Sequence, residues 1–334
     1  MAEPHQPTCA GQPRFSTGGR AATLAALEFA RRSPGESLTQ WMARPQPAAV
    51  PRVLHQTWKN CTLPWRQAFW REECRRVLPE NWKLRLHTDE DNRAFIAREF
   101  PAYLELYDSY DLNIKRIDAV RYFYLYRYGG VYMDLDFTCL RPLEALPLTP
   151  GHASLGFQKG TIHDIESVAN AFMVAPPRHP FIASLIHRLN FSARLLFHSK
   201  AHPMKATGCA FITTAVQKWQ RQYNNTGVLR IGHPRGYKAM AVVGVDAAAN
   251  RIPTALQGAA LTVHLRPRIF NSDWMSSMRL NASMRSHPCG CDQKLGCASR
   301  RELNRCQKSK ILAEAVVTTF WTHAWVDSML KERK

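Results

Sequence analysis

No stretch of this 334-residue chain reaches the roughly 18 uncharged apolar residues that a membrane span requires. The nearest candidate, AVVTTFWTHAWV at 315–326, is short and polar, and reads instead as part of an amphipathic helix over 310–331. The compact apolar centre of a signal peptide is missing too, since LAAL at 24–27 runs straight into Glu28. Lys/Arg blocks are absent: the basic residues are scattered, with Arg-Arg pairs at 31, 75 and 300. No zinc-finger, homeodomain or RNA-recognition signature accompanies them, so no nucleic acid is expected as partner. Acidic residues are in deficit, 26 against 45 Lys and Arg, a formal charge of +19. Such an excess favours polyanions, an anionic membrane surface or phosphorylated substrates.

Hydrophobic residues make up 45% of the chain, enough for a filled core in one large domain or two modest ones. Of nine cysteines, Cys9, Cys61, Cys74, Cys139 and Cys209 are isolated in sequence. The rest cluster at Cys289, Cys291, Cys297 and Cys306 within an insertion at 287–306, whose spacing lacks paired C-x-x-C knuckles. A local staple, as zinc site or disulfides, fits that cluster better than catalysis.

Residues 1–49 are rich in Pro, Gly, Ala and Arg without periodicity, and read as a disordered or linker-like tail to a domain over 50–334. From Arg52 the texture changes. RVLHQTW and WKLRLHT read as strands, and WRQAFWREECRRVLP as a helix stopped by Pro79. A helix from Asp89, a long one over 111–128, strands at SLGFQ, NAFMVA and LTVHL, and helices from Pro180 and after Gly208 complete the pattern. Strands alternating with helices predict an α/β fold with an open, mostly parallel sheet and helices on both faces. Ligands of such sheets sit at the carboxyl ends of strands.

One such end is GGVYMDLDFTCLRP, 129–142, where an apolar run finishes in Asp134 and Asp136. Alternate residues of a strand share a face, which would point both carboxylates the same way. Like charges so placed repel unless a cation or a set of donors lies between them. Upstream, Asp118 and Arg121 are three apart and share a helix face.

RVLHQTWK followed by RIDAVRYFYLYRYGGVYMDLD resembles glycosyltransferase family 32, the group with a DXD-containing sugar-binding region. The resemblance is strongest over 51–146, with weaker echoes at 170–181, 206–213 and 264–274. It implies a GT-A type sheet and a retaining hexosyltransferase that uses a nucleotide-sugar and Mn²⁺ (or Mg²⁺). GDP-mannose is favoured as donor and a UDP-hexose is the alternative. A glycan or sphingolipid-type acceptor is implied, with the Golgi lumen as location for a eukaryotic relative. The sequence's lack of a span favours a cytoplasmic or peripheral membrane site.

By the same resemblance Asp136 is the metal ligand and Asp134 binds metal or ribose. Asp118 and Arg121 grip the donor sugar near Asn170. His55 belongs to the donor site. Trp58 either stacks on the base or packs in the core, and Tyr132 either touches the diphosphate or packs in the sheet. His264, Ser272, Asp273 and Trp274 would close over the diphosphate and complete the metal shell. Two departures stand out. Asp273 falls where the family shows Ser, and Cys209 where relatives commonly have Pro. The competing reading is an inactive, basic binding protein on the same fold.

Overall fold

A computed structural model describes residues 9, 49–146, 148, 152–159, 167–195, 202–223, 227–229, 240–243, 260–264, 299–308 and 316–319. Among them, eight strands form one sheet in the order β2-β1-β3-β6-β5-β9-β8-β7. The strands are β1 (Val53–Thr57), β2 (Lys83–His87), β3 (Gly130–Met133), β5 (His152–Lys159), β6 (Ser167–Ala175), β7 (Gly227–Leu229), β8 (Met240–Val243) and β9 (Ala260–His264). β1 runs parallel to β2 and β3, and β5 to β9, whereas β6 and β8 run against their neighbours. Six of the eight therefore point one way, the mostly parallel α/β sheet that the strand–helix alternation predicts.

Eight helices are described: α1 (Trp65–Val77), α2 (Asp89–Glu99), α3 (Leu104–Asp108), α4 (Asn113–Tyr128), α5 (Pro180–Leu195), α6 (Pro203–Ala206), α7 (Cys209–Tyr223) and α8 (Arg300–Lys308). No helix among the described residues is long and apolar enough to cross a membrane. α2 begins where the sequence supplies a capping box: Thr88 accepts from the Asp91 N–H, and the Asp91 carboxylate accepts from the Thr88 N–H. Three acidic residues in its first turn add a favourable dipole term.

Each face of the sheet carries its own core, as strand alternation requires. On one face Tyr132, Met173 and Leu155 meet the apolar sides of α2, α4, α5 and α7. On the other, Leu54, Val131, Met133 and Val174 meet Cys74 of α1 and the short strands β4 (Phe137–Cys139) and β10 (Val317–Thr319). α4 is buried almost all round from Asp118 to Tyr126, a central helix rather than a surface one. It enters β3 through Gly129 and Gly130, at φ +64 and +94, where a side chain would strike Pro177 and the Val53 carbonyl. Both positions need glycine.

Two expectations need correction, and four of the isolated cysteines gain partners. β10 pairs antiparallel with β4, so the helix foreseen over 310–331 is interrupted by strand at 317–319; the rest of that range lies outside the described residues, apart from Val316. Four of the isolated cysteines are bonded, Cys9 to Cys61 and Cys74 to Cys139, and Cys209 is free. Cys9, in the segment read as a tail, is thereby fixed to the domain and buried. Of the later cysteine cluster, Cys289, Cys291 and Cys297 fall outside the described residues, and Cys306 falls within α8. Arg300 of that helix meets the buried Glu73 of α1 at 2.7 Å.

Candidate active site

β3 ends at Met133, and the chain turns before β4 starts. The Asp134 N–H still donates to the Ala171 carbonyl of β6 at 2.9 Å, and the Phe137 N–H closes a turn onto the Asp134 carbonyl at 3.2 Å. Asp134 and Asp136 thus come off a four-residue turn, not one face of a strand as the alternation argument expected. The reason is a long-range pairing. Phe137 leaves the main sheet to pair with β10, so the chain must swing away after Asp134.

Behind the turn lies a buried polar group. Arg121 Nη2 meets Asp118 Oδ1 at 2.8 Å, and Arg121 Nη1 meets Asp134 Oδ1 at 3.4 Å. Arg121 Nη1 also donates to the Asn170 carbonyl at 2.8 Å. Asn170 Nδ2 donates to Asp118 Oδ1 at 2.9 Å, while Asn170 Oδ1 accepts from the Cys209 thiol at 3.3 Å. Tyr132 OH donates to Asp134 Oδ1 at 3.0 Å and lies 3.0 Å from the Thr57 hydroxyl. The guanidinium carbon of Arg121 sits 4.5 Å from the centre of the Tyr132 ring. Asp118, Arg121, Asp134, Tyr132 and Asn170, separate in sequence, are therefore one network. Thr57 is a member that the sequence reading missed. No signal near Thr57 marks it, because its closeness to Tyr132 depends on the long-range β1–β3 pairing that sets His55 opposite Tyr132.

Position within the network sets the charges. Burial pushes the Asp118 carboxyl up to about 6, with Arg121 pulling it back. Burial alone would lower Arg121, but Asp134, Tyr132 and Asp118 together raise it, so the guanidinium is firmly charged. Burial also raises Asp134, opposed by Arg121. The Asp134 side chain nevertheless keeps 33% of its surface open, against 2% for Arg121, which puts it at the mouth of the group. Gly208 closes the far side, since a Cβ there would lie 2.9 Å from Asp118 Oδ2.

His55 does not join this group, contrary to its expected place in the donor site. It is fully buried, with Nδ1 3.1 Å from His87 Nε2 and Nε2 donating to the Gly129 carbonyl at 3.0 Å. Burial lowers it to about 4, so the ring is neutral, and it braces β1 against the Gly-Gly turn. Trp58 follows β1 and packs beside Leu135, the residue between the two aspartates. Its indole N–H is buried without a partner among the described residues. His264 is placed only as the end of β9, opposite Gly156. Ser272, Asp273 and Trp274 lie outside the described residues.

A divalent cation fits the mouth by donor chemistry. Asp134 Oδ1 is taken by Arg121 and Tyr132, which leaves Oδ2, and half-exposed Asp136 adds a second carboxylate on the same turn. Two carboxylates suit Mn²⁺ or Mg²⁺, which take few protein ligands when phosphate oxygens and water fill the remaining positions. No group of three or more Asp, Glu, His or Cys side chains placed to hold a metal ion by themselves occurs among the described residues.

Known proteins contain similar stretches. Residues 53–154 match the family described as "Glycosyltransferase sugar-binding region containing DXD motif". "Inositol phosphoceramide mannosyltransferase 3" of Schizosaccharomyces pombe is 34% identical over 176 residues, 53% of this chain and 47% of that protein. "Mannosyl phosphorylinositol ceramide synthase CSH1" of Saccharomyces cerevisiae is 33% identical over 58% of this chain and 50% of its own length. "Mannosyl phosphorylinositol ceramide synthase SUR1" of the same yeast is 33% identical over 59% and 50%. The chain spans about half the length of the curated relatives it matches. The solved structure "PaToxG Glycosyltransferase" is similar over 59% of this chain and 78% of that one, at 12% identity and TM-score 0.39. By sequence, the stretch from β1 to the start of β5, with Asp118, Arg121, Asp134 and Asp136 inside it, is the part of this chain that resembles the DXD-containing sugar-binding region of glycosyltransferases.

Proposed function

We propose that this protein transfers a hexose, mannose before galactose or glucose, from a nucleotide-sugar to the headgroup of an inositol-phosphate sphingolipid or a related glycan. One observation carries the reading: Arg121 joins Asp118 at 2.8 Å and Asp134 at 3.4 Å, linking a buried hydroxyl-reading end to an open, acidic end. The ceramide relatives support mannose and a lipid acceptor.

Asp118 and Arg121 would hold the donor's sugar hydroxyls, with Asn170 orienting Asp118. The open end would face the diphosphate, whose negative charge grows as the sugar leaves. Asp136 and the remaining oxygen of Asp134 would hold Mn²⁺ or Mg²⁺, which supplies charge neutralisation for that leaving group. Asp118 Oδ1 is already bonded by Arg121 and Asn170, which suits it to positioning rather than attack. Front-face displacement with retention follows: the departing phosphate oxygen takes the proton of the acceptor hydroxyl as the new glycosidic bond forms. The protein's contribution is orientation and charge placement.

The test is direct. Purified protein with Mn²⁺, GDP-mannose and detergent-dispersed inositol phosphorylceramide should give the mannosylated lipid, and UDP-galactose or UDP-glucose much less. Excess EDTA should stop the reaction. Absence of both transfer and slow donor hydrolysis across the donor panel would favour the inactive binding protein instead.

A further inference from the structure

The two disulfides flank one turn of the fold. The Cys9–Cys61 pair brings Cys9 into a small cluster with Leu86 and Leu135, on which Trp58 and Leu63 pack. Leu135 is the residue between Asp134 and Asp136. The Cys74–Cys139 pair joins α1 to the last residue of β4, three residues beyond Asp136. One crosslink therefore lies against the middle of the acidic turn and the other just after it.

The turn needs such support. Asp134 keeps its N–H bond to the Ala171 carbonyl of the main sheet, Asp136 leaves the sheet, and the turn's own backbone closure is the 3.2 Å bond from Phe137 to Asp134. The cluster under Leu135 is separate from the two large cores and contains three buried residues, one of them half of a disulfide. Two carboxylates on an unsupported turn would move apart under their mutual repulsion. A cation site gains affinity when that separation is prevented in advance.

We propose that the Cys9–Cys61 and Cys74–Cys139 disulfides act as positioning residues that fix the Asp134–Phe137 turn for cation–diphosphate binding. The protein is accordingly one that matures where disulfides persist, an oxidising compartment. The cation part of this inference rests on the proposed function; the fixing of the turn does not.

Two readouts on the 334-residue chain separate these parts. In Cys9→Ser/Cys61→Ser, hydrogen exchange at the Asp134 and Phe137 amides should rise about tenfold or more, while the Val120–Leu125 amides of α4 keep their protection. Calorimetry with Mn²⁺ and GDP should show affinity lower by about tenfold, with melting still cooperative. Leu135→Ala, which loosens the cluster and leaves both disulfides in place, should reproduce both changes and covers a serine variant that fails to fold. Turn amides exchanging at the wild-type rate in both variants would overturn the proposal, as would unchanged Mn²⁺–GDP affinity beside faster exchange. Wild-type protein that binds neither GDP nor UDP with Mn²⁺ would instead defeat the proposed function, and the exchange arm alone would then decide the clamp.

Discussion

The two ends of the candidate site are built by opposite means. At the buried end, proposed for the sugar, Asp118, Arg121 and Asn170 sit inside the core, and hydrogen bonds from α4, β6 and α7 fix each of them. At the open end, proposed for the diphosphate, Asp134 and Asp136 lie on a partly exposed turn outside both large cores, and covalent links flank it. Hydroxyl recognition depends on dry, preset donors and acceptors, because a buried polar group left unpaired is costly. Charge neutralisation by a hydrated cation needs water and phosphate access, so that end cannot be sealed. Rigidity must then come from crosslinks rather than packing.

The largest effect should come from removing the bridge between the ends. Arg121→Ala strands Asp118 and Asp134 without their shared cation, and breaking a buried ion pair typically costs about 3–5 kcal/mol. Denaturant unfolding should show a loss of that order, together with turnover reduced about a thousandfold or more. A variant of wild-type stability would mean that the two ends are independent.

Asp136→Asn should separate activity from stability. Its side chain is half-exposed on the turn, outside both large cores, so unfolding should change by no more than about 0.5 kcal/mol. Transfer should fall by about a hundredfold or more with the loss of a carboxylate at the cation site. Mn²⁺–GDP affinity measured by calorimetry should fall in parallel. An active Asp136→Asn protein would contradict the role assigned to the turn.

Acid should act through the interior rather than the open turn. His55 is fully buried and lowered to about 4, while an unfolded histidine titrates near 6.5. His87 beside it is also lowered, by burial first and then by His55. The folded chain therefore prefers neutral rings. Their contribution is complete above pH 6.5 and declines as pH falls toward 4, because the unfolded chain takes up the proton first. Asp118, raised to about 6, works in the opposite sense, so the histidine term is best read as a difference. Between pH 7 and 4.5 the wild type should lose about 2–3 kcal/mol more than His55→Gln, by urea unfolding of both proteins. Equal losses would remove His55 from the account.

Most elements were legible because their periodicities are local. Strand β1 ends where RVLHQTW suggested, α4 ends at the Gly-Gly pair, and strands and helices alternate as the apolar pattern implied. The site was legible where residues lie close in sequence, as Asp118 and Arg121 do on one helix. It was not legible where partners are distant. Nothing near Cys74 shows that Cys139 lies opposite it, 65 residues on, because a disulfide depends on tertiary approach rather than spacing. His55 misled for a related reason. Its neighbours HQTW suggest a strand end at a ligand site, but its ring turns inward to His87 and Gly129. The Asp-x-Asp spacing suggested strand alternation, and the chain's departure toward β10 turned it into a bend. The 310–331 helix failed for the same cause, since the pairing partner of Val317–Thr319 lies 180 residues earlier in sequence.

The smallest expected effect tests how finely the buried end is set. Cys209 is the first residue of α7, and its thiol donates to Asn170 Oδ1 at 3.3 Å. Burial raises that thiol to about 11, so it remains protonated and able to donate at neutral pH. The bond decides which way the Asn170 amide points, and hence that Nδ2 rather than Oδ1 faces Asp118. Cys209→Ala removes the donor and leaves Asn170 free to flip, which would set an oxygen against the carboxylate. A weak hydrogen bond of about 1 kcal/mol corresponds to roughly fivefold, so kcat/KM for the nucleotide-sugar should fall by that factor. Affinity for the free nucleoside diphosphate should not change, since it does not reach the sugar end. Cys209→Ser retains a donor and should recover most of the loss. A drop in diphosphate affinity equal to the drop in kcat/KM would show instead that Cys209 supports the fold of the whole site, and the division between its two ends would not hold.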